Sequence, residues 1–195
     1  MKDIQVIDDF FPEYIQDQIE NLILESNIRY KYNPSTFDPI YAPPDPNKEF
    51  QEGAQLVNPF IEGGNLLLND MSHFFLLPFQ IACLKLKIKF NFNQLFRAKI
   101  NLKFKQQSEK DKFINPPHID IPSNSLNSII GIYYINNSDG DTVVYKGDNK
   151  GILTPTQNIS PKKGRILLMD GNLYHSASHP LKTETRIVIN YNLIL

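Results

Sequence analysis

Arg186-Ile187-Val188-Ile189-Asn190-Tyr191-Asn192-Leu193 is the stretch on which the fold turns. In extended chain, Arg186, Val188, Asn190 and Asn192 share one side, and Ile187, Ile189, Tyr191 and Leu193 share the other. If both faces are covered, Arg186 points inward, where an unpaired guanidinium is almost never found. No acidic partner is dictated by the sequence, so a ligand carboxylate gripped by the guanidinium fork is the economical counter-ion. On this stretch alone, an arginine at a strand start reaching solvent remains the alternative.

Working outward, the same period of two recurs from Arg97, where Ile100, Leu102 and Phe104 alternate with Lys99, Asn101, Lys103 and Lys105. Further short β-like runs follow at Ile129–Ile135, Thr142–Tyr145, Arg165–Met169 and Tyr174–Ser178, separated by turns such as Asn136-Asn137-Ser138-Asp139-Gly140. Many short strands with close turns predict an all-β sandwich or barrel. The N-terminal part reads differently. Ile4, Val6 and Ile7 suggest a short strand, and Pro12 opens a helix carrying Ile15, Ile19, Leu22 and Ile23 at helical spacing. Residues 66–88 favour a helix, although Leu84, Leu86, Ile88 and Phe90 also alternate as a strand would. Five prolines within 33–46 make a loop, either shaping a site or making a surface excursion. The expectation is a mainly β protein with N-terminal helices (α+β), one domain over 1–195. Residues 1–95 give helical support and loops, and 96–195 give the β core.

The chain has 195 residues with 41% hydrophobic and 11% aromatic content, a globular composition. A net charge of -1 and a pI of about 6.4 argue against a general nucleic-acid or membrane-surface binder. The charge is uneven, however. Residues 1–70 hold 13 acids against 4 bases, and residues 85–112 hold 9 bases against 2 acids. Such runs are usually solvated or face each other; a basic surface for an anionic partner is the sharper alternative. The single cysteine, Cys83, excludes an internal disulfide and sits among apolar neighbours as a buried thiol would. Residues 1–10 do not resemble a signal peptide, and no apolar stretch could span a bilayer. A cytoplasmic protein is expected (host cytoplasm for a phage-encoded chain).

Four histidines are present: His73, His118, His175 and His179. In Pro116-Pro117-His118-Ile119-Asp120, His118 and Asp120 project to the same side of an extended chain. One imidazole and one carboxylate can thus meet at a point, and a second histidine from a distant strand would complete a facial set of ligands suited to non-haem iron(II). The tripeptide alone is a weak signal, equally compatible with a surface histidine beside a turn-forming aspartate.

The order of motifs strengthens it. His118-Ile119-Asp120, Ile132-Tyr133-Tyr134-Ile135-Asn136, Asp139-Gly140-Asp141-Thr142 and the run Pro161 to Asp170 are followed by His175, 57 residues after His118, and Arg186, 11 residues later. This succession resembles the 2-oxoglutarate/iron(II) dioxygenase superfamily, in particular its compact prolyl-4-hydroxylase-like members of bacterial and phage type. The resemblance covers residues 97–195, and more faintly Val6 to Phe11. It implies a double-stranded β-helix (a jelly-roll, cupin-like core) with iron(II) held by His118, Asp120 and His175. It also implies 2-oxoglutarate anchored by Arg186 and Tyr134, O2 as oxidant and ascorbate as a reductant. The implied reaction is hydroxylation of a substrate with succinate and CO2 as co-products. A prolyl or other peptide side chain is the first expectation for that substrate. A small-molecule hydroxylase, or a catalytically silent binding jelly roll, is the alternative. Many relatives carry a hydroxyl residue two positions after the arginine, and here Val188 stands there. His179 is the rival distal ligand, but Pro180 follows it and suggests a turn. His73, among Phe74, Phe75 and Leu76, reads as a packing histidine.

Overall fold

Two antiparallel sheets face each other across an interior that is apolar at one end and polar at the other. The computed structural model describes residues 4–25, 27–35, 53–67, 72–107, 113–121, 127–147 and 151–195. The elements run β1 (Gln5–Ile7), α1 (Glu13–Glu25), β2 (Lys31–Asn33), β3 (Gln55–Glu62), β4 (Asn65–Leu66), α2 (Ser72–Lys85), then β5 (Leu95–Phe104) and β6 (Phe113–Ile114). They continue with β7 (Ser128–Tyr134), β8 (Thr142–Gly147), β9 (Leu153–Ile159), β10 (Ile166–Asp170), β11 (Tyr174–His179) and β12 (Thr185–Ile194). The larger sheet has the order β1-β10-β7-β12-β5-β3-β2, with β4 beside β3, and the smaller has the order β6-β11-β8-β9.

The centre of the larger sheet is β12, bonded to β7 on one side and β5 on the other. Its alternation separates two interiors. Ile187, Ile189, Tyr191 and Leu193 join Ile129, Tyr133, Ala98 and Ile100 in a core shared with α1 and α2. On the opposite face Val188 packs with Ile130, Ile132, Tyr134, Leu167 and Met169, against Val144 and Ile159 of the smaller sheet. The mainly β architecture with N-terminal helices is as expected, and the antiparallel double sheet is that of a jelly roll. Arg186 is buried, not solvent-exposed.

The first 95 residues supply more than helices and loops, since β1 lengthens one end of the larger sheet and β2, β3 and β4 the other. Helix α1 starts as its sequence suggests, with the Pro12 carbonyl accepting from the amides of Ile15 (2.9 Å) and Gln16 (3.2 Å). Four acids of the N-terminal segment find bases in the turn between β9 and β10, while β3 lies beside β5 with Glu62 opposite Arg97. Asp8 bonds Arg165 at 2.5 and 3.0 Å, Asp9 bonds Lys162 at 2.9 Å, and Asp17 and Glu20 both bond Lys163. Gly164, at a positive φ of 75°, leaves room for the Gln16 side chain, which would collide with any Cβ there.

The ambiguity at 84–92 resolves as a helix end. The amide of Ile88 bonds the carbonyl of Cys83 and that of Lys87 bonds Leu84, while Lys87 takes a φ of 56°. This is the Schellman pattern, with lysine where glycine is usual. Cys83 is buried, and burial pushes its thiol up to about 12. His73 is exposed in the first turn of α2 rather than packed. Most of the proline-rich 33–46 segment lies outside the described residues. Among the described residues no helix is long and apolar enough to cross a membrane.

Candidate metal centre and adjoining anion pocket

His118 and His175 come together through the backbone before their side chains are considered. The two residues form an antiparallel bridge, exchanging bonds of 2.9 and 3.0 Å between amide and carbonyl. This places their rings 4.8 Å apart, centroid to centroid. Each Nδ1 lies beside a carbonyl two residues earlier, Pro116 at 3.2 Å and Leu173 at 3.1 Å. A carbonyl can only accept, so Nδ1 carries the hydrogen in both rings and Nε2 keeps its lone pair. Asp120 stands between them, with Oδ1 3.6 Å from His118 Nε2 and Oδ2 3.9 Å from His175 Nε2. One ligand atom from each of the three residues lies within 4.8 Å of the others.

A second set of side chains fixes the carboxylate. Asn190 and Asn192, on the inner face of β12, donate to Asp120 Oδ2 at 3.1 and 2.8 Å. Arg97, which enters from β5, places its guanidinium 3.1 Å from Oδ1 and donates at 2.8 Å to Asn192. Burial alone would raise the carboxyl pKa. The Arg97 charge overrides it and holds Asp120 well below the usual carboxylate range. Burial, by contrast, lowers His175 to about 4, so its imidazole is neutral at neutral pH. His175 Nε2 is buried without a hydrogen-bond partner. A neutral imidazole with an orphaned inward lone pair, beside an ionised carboxylate, is a donor set that fits a divalent transition metal.

A cavity of roughly 40 Å³ runs from these three residues to Arg186, with Lys99, Asn101, Lys103, Thr142 and Val188 in its walls. Arg186 is 2% exposed; its Nε donates to the Gly140 carbonyl at 2.6 Å and a terminal nitrogen donates to Thr142 Oγ1 at 2.8 Å. No carboxylate among the described residues pairs with it. Gly140 is required by this approach, because a Cβ there would stand 2.8 Å from the Ser178 carbonyl and 3.0 Å from Arg186 Cδ. The neighbouring Asp139 accepts from the amides of Leu181, Lys182 and Thr183 and so ties this turn to the loop before β12. Tyr134 lies behind Thr142, donating to its Oγ1 at 2.8 Å, with its ring 5.8 Å from the Arg186 guanidinium.

The structure thus brings His118, Asp120 and His175 to one point and places Arg186 at the far end of the same cavity, with Tyr134 acting on that end through Thr142. His179 does not join the three. Contrary to the turn suggested by Pro180, it is the last residue of β11, buried, with Nδ1 3.1 Å from the Phe104 carbonyl and its ring filling the space over Gly53. Sequence reasoning missed Arg97, Asn190 and Asn192 as supports of Asp120, and Lys99 and Lys103 as cavity residues. The signal was there for both asparagines, which share the parity of Arg186 on β12.

No family model and no curated protein matches the sequence. Solved structures do match in fold. An oxidoreductase of the 2OG-Fe(II) oxygenase family from Burkholderia pseudomallei aligns with a TM-score of 0.61 at 13% identity, over 97% of this chain and 84% of that one. A Trichoplax adhaerens prolyl hydroxylase in complex with a hypoxia-inducible-factor peptide aligns at 0.58 and 13%, over 98% and 83%. The viral collagen prolyl hydroxylase of Paramecium Bursaria Chlorella virus-1, in complex with 2OG, aligns at 0.54 and 13%, over 98% and 95%. The fold is therefore that of the 2-oxoglutarate/iron(II) oxygenases and prolyl hydroxylases, the group that the motif order resembles.

Proposed function

We propose that this chain is an iron(II)- and 2-oxoglutarate-dependent oxygenase that hydroxylates a C–H bond of its substrate, with O2 consumed and succinate and CO2 formed as co-products. The observation that carries this reading is the pairing of two unlike ends within one cavity. One end is a His118–Asp120–His175 donor set with an orphaned imidazole nitrogen; the other is a buried guanidinium that forms an ion pair with no carboxylate among the described residues. A keto-diacid needs both, a metal for its keto-acid end and a cation for its distal carboxylate. A peptide or protein side chain is the substrate class we favour, supported by the fold shared with a prolyl hydroxylase seen in complex with a peptide.

In this reading the chain's own residues bind and orient. Backbone carbonyls of Pro116 and Leu173 fix the tautomers of His118 and His175, so that each offers Nε2. Arg97, Asn190 and Asn192 keep Asp120 ionised and aimed. Arg186 and the Thr142 hydroxyl, itself held by Tyr134, would receive the distal carboxylate. Iron and 2-oxoglutarate, when bound, supply the oxidative chemistry.

The test is anaerobic titration with iron(II) and then 2-oxoglutarate, following the visible charge-transfer band produced when a keto acid chelates iron. We expect a band in the wild type and in His179→Ala, and none in His175→Ala. Absence of a band in folded wild type would overturn the proposal.

A further inference from the structure

Lys103 is among the largest fully buried side chains, at 2% exposure, and its Nζ has no hydrogen-bond partner. It stands directly across the β5–β12 ladder from Arg186, on the same inner face, and both line the cavity. Opposed residues in an antiparallel pair carry their Cβ atoms about 5 Å apart, and like charges so placed repel. No carboxylate among the described residues pairs with either. The charged and titratable groups that act on Lys103 are Arg186 on β12, Lys99 on its own strand and His179 on β11; Asp141 acts on Arg186 at longer range without forming an ion pair with it. Gln55 of β3 lines the same cavity. Burial, reinforced by Arg186 and Lys99, lowers the ammonium pKa of Lys103 well below its ordinary value. Such an arrangement is unfavourable in isolation, and an anion between the two cations removes both the repulsion and the orphaned donor.

We infer that Lys103 is a second cationic anchor for the distal carboxylate of the co-substrate and, with Arg186, makes this pocket selective for keto-diacids over keto-monoacids. The inference rests on the proposed co-substrate and extends it to a residue of β5. Lys103 meets the incoming carboxylate as a hydrogen-bond donor. Its four-carbon stem already lies along the cavity wall, so little side-chain freedom is lost on binding.

The experiment compares wild type with Lys103→Met, a swap that keeps length and removes the charge. The affinity of the anaerobic iron(II) protein for 2-oxoglutarate is read from the charge-transfer band. It is set beside the affinity for 2-oxovalerate, the five-carbon keto acid lacking the distal carboxylate. Lys103→Met should bind 2-oxoglutarate tenfold or more weakly while its affinity for 2-oxovalerate changes less than threefold. The ligand-free variant should melt no lower than wild type, which confirms folding. Equal 2-oxoglutarate affinity in the two proteins, or equal weakening towards both acids, would overturn the role of Lys103. A wild type that binds neither acid would instead overturn the co-substrate reading itself. Should Lys103→Met not fold, Lys103→Gln is read by the same comparison.

Discussion

The two ends of the cavity differ in how their charges are balanced. At the metal end, one carboxylate, Asp120, is already met by Arg97, Asn190 and Asn192, with every contact between 2.8 and 3.1 Å. At the other end, Arg186 and Lys103 face each other across two strands with hydroxyl and carbonyl partners for one and none for the other. The charge of the first end is balanced by the chain itself, and that of the second is balanced only by a ligand. A protein can hold ligands for a metal in place without the metal, because neutral imidazoles and a paired carboxylate cost little. It cannot neutralise a buried cation pocket without an anion, unless it gives up the site that binds one. Energy spent against stability at one place therefore marks where an anionic ligand belongs.

The strongest way to break this contrast is Arg186→Ala. It should weaken 2-oxoglutarate binding by about 2–5 kcal/mol, because a desolvated carboxylate loses its charged partner. The iron affinity measured before the keto acid is added should stay within a factor of about three of wild type, since Arg186 makes no contact with the three ligands. Co-substrate affinity unchanged in this variant would remove Arg186 from the site. Asn192→Ala, at the opposite end, should behave in the reverse sense. It strips Asp120 Oδ2 of its 2.8 Å donor and Arg97 of an acceptor. Metal affinity should then fall about 10–100-fold, as for other losses of groups that orient a ligand. The ligand-free fold should lose about 1–3 kcal/mol in denaturant titration, the usual penalty for leaving buried polar groups unmatched. Loss of metal affinity with stability intact would show that the network around Asp120 is less closed than its distances indicate.

Much of this was legible in the sequence, and the part that was not has a common physical cause. Local periodicity exposed β12, because each of its faces is uniform in character, and it placed Arg186 inside. His118 and Asp120 were readable from their i, i+2 spacing, and His175 from motif order. Strands β3 and β9 gave no clean alternation, since each contains a proline, Pro59 and Pro155, where its register with the neighbouring strand shifts. Lys99 and Lys103 were hidden for another reason. In a run of nine bases, alternation with Ile100 and Leu102 reads as a wet face, and only the smaller sheet, most of whose strands begin at Thr142 or later, makes that face an interior. Lys99 is half-buried on this side of β5, and burial lowers its ammonium to about 8. The acidic N-terminus likewise finds its partners in Lys162, Lys163 and Arg165, a pairing that no local window contains.

The smallest effect separates global stability from the two ends. Lys87 occupies the left-handed position that closes α2, at φ 56°, with its side chain exposed. A Cβ-bearing residue there costs roughly 1–2 kcal/mol in the backbone, and glycine avoids it, though glycine also adds entropy to the unfolded chain. The net expectation for Lys87→Gly is a gain of about 0.5–1 kcal/mol, read as a higher denaturant midpoint with an unchanged slope. Because α2 packs on the face of the larger sheet opposite the cavity, neither metal nor keto-acid affinity should move. If both affinities rose with stability, the inner face would be coupled to the helical layer, and weakened binding in Asn192→Ala could then reflect a loosened fold rather than a lost contact at Asp120.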